Sequence, residues 1–337
     1  MEAVPSKIIR QIIIIVVLGI VGSLIFYELL PYLSGFLGAI TLYILFKKPM
    51  KMLKSKGWNT SLAASLLMFL SFIGILLPIF GITLMLSNKL DNAVSNAEKL
   101  FAALQQHIIK FENTFGHDFY KDLDIAGGTS WVGENAKVLL GSTFELLIAI
   151  SIMYFLLYFM LTKPKQLRES IYNYGPFTEQ HLKILTKESS KMIRSNALGI
   201  PIVAFAQGIV ALIGFLIFGI ENPLFWFVIV VIGSMIPFVG TLVGIIPLFL
   251  ITLASGNDYA AYGILIYGLV VVGSTDNIIR LYVLKKMDNV HPLITLIGVI
   301  IGIPLFGFIG LVFGPIIISL FFIILKMYKI EYVDKRF

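Results

Sequence analysis

The stretch Ile236–Pro247, "IPFVGTLVGIIP", sets two prolines and two glycines inside a long apolar run with no charge nearby. A second stretch, Ile303–Pro315, "IPLFGFIGLVFGP", repeats the phrase. Proline removes a backbone donor and clashes with the preceding turn, and glycine weakens a helix. Helix breakers in so apolar a setting point to chain that turns where its surroundings are dry. The rest of the chain identifies those surroundings.

Of the 337 residues, 58% are hydrophobic and only 13% are charged. Soluble domains carry about 25% charge. Several apolar runs reach the roughly 18 residues that span a bilayer. The expected fold is therefore an all-α polytopic membrane protein. The net charge of +7 is read as lysine and arginine gathered in cytoplasmic loops, so membrane lipid is the expected partner and nucleic acid is not. The chain has no cysteine, which excludes disulfides, thiolate metal sites and a cysteine nucleophile. His107, His117, His181 and His291 are scattered without metal-ligand spacing. No G-x-x-x-x-G-K-[ST], G-x-S-x-G or H-E-x-x-H motif occurs, so neither ATP chemistry, hydrolysis nor a cofactor is expected, and the protein is not read as an enzyme.

The apolar runs give about six full spans: Ile8–Leu30, Tyr32–Phe46 restarting after Pro31, Leu62–Leu86, Val138–Leu161, Ala197–Phe218 and Tyr259–Ile279. The first is too long for a signal-peptide core and lacks a small-x-small cleavage site, so it is read as a retained span. The intervening segments set sidedness. Lys47, Lys48, Lys51, Lys54 and Lys56 form a basic loop without an acid, cytoplasmic by the positive-inside rule. Ser87–Lys137 is acid-rich and is placed outside as an amphipathic helical segment, with Leu90, Val94, Ala97, Phe101 and Leu104 at helical spacing. Thr162–Asn196 is rich in lysine and arginine and returns inside, where Leu167–Ile193 is expected to lie on anionic lipid. The resulting divisions are spans 1–3 in 1–86, the outer segment 87–137, span 4 in 138–161, the inner segment 162–196, a transport core in 197–326 and a tail in 327–337. Both termini are expected in the cytoplasm of a bacterium, across its inner membrane.

Sidedness then leaves two stretches over. Pro223–Leu253 must begin and end outside, and Pro292–Leu325 must begin and end inside. Each is a little over 30 residues. That is about 45–50 Å as one helix, too long for one crossing of a ~30 Å core and too short for two. Two re-entrant hairpins fit, each with arms of about 15 residues, or roughly 22 Å. Their turns are expected at Pro237 and Pro304, with Gly240 and Gly307 three residues on and Pro247, Gly310 and Pro315 beyond. "NPL" at Asn222 opens the first and "HPL" at His291 the second. Each hairpin follows one full span, and the two units have opposite orientation. Inverted units with broken helices characterise secondary transporters.

Ionisable groups inside a span are costly and so are candidate functional groups. "GSTDNIIR", Gly273–Arg280, holds Asp276 and Arg280 at i, i+4 on one helix face. Asp276 is either a coupling site for a cation or proton, with Thr275 and Asn277 supplying further oxygens, or half of an interfacial ion pair. Gln207, in mid-span beside Gly208, either hydrogen-bonds a solute or joins two helices, the second being the simpler reading. His291 is read as a hairpin cap.

Taken in order, "AQG" at Ala206–Gly208, I-P-x-x-G-x(6)-P at Ile236–Pro247, "DN" at Asp276–Asn277, "HPL" at His291–Leu293 and the Gly302, Gly307, Gly310, Pro315 ladder resemble the autoinducer-2 exporter family, and the likeness covers almost the whole chain. Leu281 stands where that family often has proline. The resemblance implies secondary transport, with export of autoinducer-2 in some members and Na+/H+ exchange in others, and it implies homo-oligomers, a pentamer if the family pattern holds. The expected function is export of a small polar solute driven by an H+ or Na+ gradient. The alternatives are a cation/proton antiporter and a non-transporting scaffold.

Overall fold

The structure is a computed structural model, and it describes residues 6–77, 80–81, 143–174, 178–236, 240–275, 278–279 and 292–329. The expected outer segment 87–137 lies outside the described residues, as does the tail beyond residue 329. Every regular element among the described residues is helical. Among the described residues four helices are long and apolar enough to cross a membrane, or up to six if each sharply bent pair is one span.

The first departure from the sequence reading is at Pro31. Helix α1 (Ser6–Leu29) passes through a 3-10 turn at Leu30–Tyr32 into α2 (Leu33–Ser55), and the two form one helical run, Lys7–Ser55. Proline at the start of the turn needs no N–H there, and Leu29 and Leu33 both keep right-handed helical angles, so nothing reverses the chain. The second departure is the basic loop. Lys47, Lys48, Lys51 and Lys54 belong to α2, because lysine, methionine and leucine are good helix formers. The helix stops before Gly57, whose φ of +83° suits only glycine.

Helix α3 (Thr60–Leu77) packs with α2 and α4 (Thr143–Thr162) around Ala39, Ala63, Ala64, Leu67, Leu157 and Leu161. Small residues admit close approach: a Cβ on Gly35 would strike the Ala149 backbone. Ser71 and Tyr154 share a hydroxyl–hydroxyl hydrogen bond of 3.2 Å between α3 and α4. Helix α5 (Pro164–Tyr174) leaves α4 at 98° and carries exposed Lys165 and Arg168. Arg168 lies 3.7 Å from Glu179, a surface pair of small energetic weight.

Helix α6 (Glu179–Ile217) unites what the sequence divides into a basic segment and a span. Thr178 caps it, accepting from the His181 N–H at 3.3 Å. Its first half packs through Met192 and Ile193 on Phe313 and Ile316, with Leu37, Ile40 and Ile44 of α2 alongside. Its second half packs through Ala211 and Phe215 on Val230, Ile245, Leu248, Ile264 and Val272. The outer face of the second half is apolar and open, through Ile202, Phe205, Ile209, Ile213 and Leu216, whereas the first half exposes Lys183, Lys187 and Lys191. Every large apolar side chain of α1 is at least 45% exposed, as a surface meant for hydrocarbon would be.

Candidate functional site

Helix α6 ends in a tight reversal. Gly219 has φ +66° and Asn222 has φ +53°, left-handed conformations that glycine and asparagine tolerate. Pro223 then opens α7 (Pro223–Ser234) with its ring at the start of the helix. The reversal lays α7 back along α6, so that a Cβ on Gly208 would strike Val231 and come within 2.9 Å of Phe227. Helix α8 (Gly240–Ala254) folds against α7. The two arms meet at Gly233 and Gly240, where a Cβ on either would strike the other's backbone, and again where Gly244 faces Val230. Arms of 12 and 15 residues rise about 18 and 22 Å, short of the ~30 Å hydrocarbon core. This is the geometry expected of a hairpin. Pro237 lies outside the described residues, Gly240 begins the return arm, and Pro247 sits inside it.

The second hairpin is α10 (Pro292–Phe306), a 3-10 turn at Gly307–Ile309, and α11 (Gly310–Tyr328), with a change of direction of 120°. The expected turn at Pro304 is displaced. Pro304 stays inside α10, because proline's fixed φ is helical and only one hydrogen bond is lost. The reversal falls at Gly307, whose φ of +61° supplies what a turn needs. Four glycines close the arms together. A Cβ on Gly302 would strike the Gly310 carbonyl and lie 2.8 Å from Gly314, one on Gly310 would meet Gly302, one on Gly314 would meet Gly298, and one on Gly298 would meet Pro315. The equivalent points of the two hairpins are thus facing glycines, Gly233 with Gly240 and Gly302 with Gly310, rather than the prolines. The arms of the second are also unequal: 19 residues in α11 rise about 28 Å.

Both hairpins pack on α6. Asn196 donates to the Val312 carbonyl at 3.2 Å, tying α6 to the second. Helix α9 (Asp258–Tyr267) closes the first from the other side. Its Tyr267 hydroxyl donates to the Val210 carbonyl of α6 at 2.9 Å, and Gly268 receives Ile245 of α8. Gly268–Val272 is a π-turn. Such turns insert one extra residue and re-aim the chain beyond them, often at functional sites, and the chain beyond this one begins "GSTDNIIR". Thr275 donates its hydroxyl to the Val271 carbonyl at 2.7 Å, which leaves its oxygen as an acceptor. Asp276, Asn277, Arg280 and His291 lie outside the described residues. Gln207 is described and is 1% exposed. Its Oε1, the Ser234 hydroxyl and the Ser195 hydroxyl are buried without a hydrogen-bond partner. Gln207 precedes Gly208 on α6 and Ser195 precedes Asn196, whereas the Ser234 Cα on α7 lies within 2.6 Å of where a Cβ on Gly240 of α8 would be.

Sequence reasoning missed Ser234, Gly233, Gly298, Gly314 and Asn196. The glycines left a signal: Gly298 and Gly302, like Gly310 and Gly314, are spaced i, i+4 and so share a helix face. Serines gave none. No group of three or more potential metal ligands occurs among the described residues.

Apolar spans, two broken-helix hairpins and one long helix bearing both define a polytopic helical membrane protein. A family model described as AI-2E family transporter matches residues 13–330. The chain belongs to that family. Among similar proteins, a "Putative transport protein" of Aquifex aeolicus is 24% identical over 59% of this chain and 57% of its own length. One of Alkalihalophilus pseudofirmus is 31% identical over 48% and 42% respectively, and "Putative transport protein YdiK" of Escherichia coli is 28% identical over 39% and 35%. The chain's matches thus span about half the length of these relatives or less.

Proposed function

We propose that this protein is a secondary transporter that exports a small polar solute, such as the autoinducer-2 signal, across the bacterial inner membrane using an H+ or Na+ gradient. The observation that carries this reading is the pair of hairpins seated on α6. Helix ends and turns at membrane depth are tolerated only where protein or a water-filled path receives them, and a fold without a path has no use for two. The hairpin turns would line or gate that path. Asp276, with Asn277 and Arg280 beside it and the π-turn just before it, is the candidate coupling group. The lysines of α2, the Lys163–Arg194 region and the C-terminal tail would face the cytoplasm. Homo-oligomers, pentameric on the family pattern, fit the apolar surface that a single chain leaves open.

A cation/proton antiporter is the second reading, favoured by the same Asp276, which would then bind the transported ion itself. One experiment addresses both. Purified protein in proteoliposomes is given imposed proton or sodium gradients, and flux is followed over a mixture of metabolites with an internal pH dye. Gradient-dependent solute movement supports export. Cation-dependent pH change without solute, lost in Asp276→Asn, supports the antiporter. Neither signal from correctly folded protein would refute transport altogether.

A further inference from the structure

A phospholipid is apolar for most of its length and polar at one end, so a surface that selects an anionic one must offer apolar area and then cations, in that order. The outward side of α4 does. Leu147, Ser151, Phe155 and Phe159 follow one another at every fourth residue as an exposed ridge. Phe155 is 64% exposed and Phe159 41%, with ring centroids 4.9 Å apart. Lys163 is the next step of the same ridge, and its ammonium lies 5.7 Å from the centre of the Phe159 ring. The inward side of α4 is occupied through Leu157 and Leu161, which are buried against α2 and α3. The ridge is thus uncovered apolar surface capped by a cation.

Two further observations aim that cap at a headgroup. Helix α5 leaves α4 at 98°. With α4 across the membrane, α5 lies along its surface and brings exposed Lys165 and Arg168 next to Lys163. Sequence spacing puts Leu167, Ile171 and Tyr174 on one face of α5, the pattern of a helix seated at an interface. The surroundings are also cationic. Met50 and Leu53 of α2 belong to the same cluster as Leu157 and Leu161, which carries Lys47, Lys48, Lys51 and Lys54 to the same end of the bundle. No acid occurs between Glu28 and Asp91. Arg168 is matched by Glu179, but among the described residues neither Lys163 nor Lys165 has a carboxylate partner.

We propose that the α4–α5 corner binds an anionic phospholipid, its acyl chain along Phe155 and Phe159 and its phosphate held by Lys163 and Lys165. The site stands apart from the transport reading and holds whatever the protein moves. A soluble polyanion would use the lysines and leave the phenylalanines idle. A protein partner on the ridge would have to bury Lys163 against a charge of its own. An amphiphile uses both halves at once. Free phosphate offers a lysine the same oxygens as a phosphodiester, and the test separates the two.

The chain has no cysteine, so Ser151→Cys carries a single thiol on the ridge. The full-length variant is labelled with bimane and placed in phosphatidylcholine nanodiscs. Spin-labelled phosphatidylglycerol or spin-labelled phosphatidylcholine is titrated in, and quenching gives the relative affinity of the ridge for the two lipids. The anionic lipid should be preferred about fivefold. Ile213→Cys is the control, on the outer face of α6 in a stretch, 195–279, without lysine or arginine, and should show no preference. Lys163→Gln/Lys165→Gln should bring the ridge to parity. Lys163→Arg/Lys165→Arg should keep the preference, as should Lys183→Gln/Lys187→Gln, which removes the same charge from α6. If the first pair aggregates on size exclusion, Lys163→Gln alone makes the comparison and should lose at least half of the preference. Equal affinity for the two lipids at the ridge would overturn the site, and so would a preference that is the same at position 213, survives loss of the corner lysines or vanishes with those of α6. Quenching by neither lipid would mean that a second copy of the chain covers the ridge, and would overturn it too. Inorganic phosphate should reduce the preference no more than potassium chloride of equal ionic strength. Selective loss in phosphate would assign the lysines to the free ion and overturn the lipid.

Discussion

Gly302→Ala tests whether the second hairpin is a closed glycine contact. The added Cβ would strike the Gly310 carbonyl and lie 2.8 Å from the Gly314 Cα and 3.0 Å from the Gly310 carbonyl carbon. All three are backbone atoms, which no rotamer change can move aside, so α10 and α11 must part. Overpacking of this kind costs about 1–3 kcal/mol, and rigid neighbours favour the upper half. Alanine regains about 1 kcal/mol of helix propensity over glycine. The net loss is therefore about 1–2 kcal/mol, or an apparent Tm lower by roughly 2–6 °C. Gly22→Ala in α1 is the control, since nothing lies within 4 Å of its Cβ position and only the propensity gain remains. The assay is the fraction of protein still monodisperse on size exclusion in dodecyl maltoside after heating at one fixed rate. A Gly302→Ala variant as heat-resistant as Gly22→Ala would refute the contact, and with it the closed hairpin.

Three further outcomes are expected. Gln207→Leu removes an unpartnered buried oxygen while keeping bulk, so stability in the same assay should hold or rise by up to about 1 kcal/mol while proteoliposome flux falls at least tenfold; retained flux would make Gln207 a packing residue. Tyr267→Phe loses the 2.9 Å bond to the Val210 carbonyl and should cost about 0.5–1.5 kcal/mol, read as a lower apparent Tm; an unchanged Tm would show that α9 is held without it. If the run Lys7–Ser55 stays straight in lipid, single thiols in Ser6→Cys and Ser55→Cys should react with an impermeant maleimide from opposite faces of the membrane. Labelling from one face would mean that the chain reverses at Pro31 after all.

The hairpins were legible because their signal is arithmetic. Stretches of a little over 30 apolar residues with central breakers fit neither one crossing nor two, whatever the details of packing. The turns were read less well. Ile-Pro looked like the breaker at both places, yet Pro304 continues its helix and Gly307 makes the turn, because a reversal needs positive φ more than a lost donor. Lysine pattern marked the end of α2 as a loop and set the start of α6 apart from the span that follows it. Charge reports water, and a helix that emerges from lipid remains a helix. Ser234 gave no sign, since its distinction is that it bonds to nothing, a property that only packing reveals. The polar "GSTDNIIR" run stood out at once, and the π-turn before it did not, because five residues of Gly-Leu-Val-Val-Val carry no periodicity that separates π from α.

Pro201 lies near the middle of α6, between Met192, Ile193 and Asn196, which hold one hairpin, and Gly208, Ala211 and Phe215, which hold the other. It has no N–H to offer the Ala197 carbonyl, so the rod has its softest joint at the border between its two allegiances. Each half can lean with its own hairpin at the cost of a single bend, and neither interior has to be repacked for the pair to change their mutual tilt.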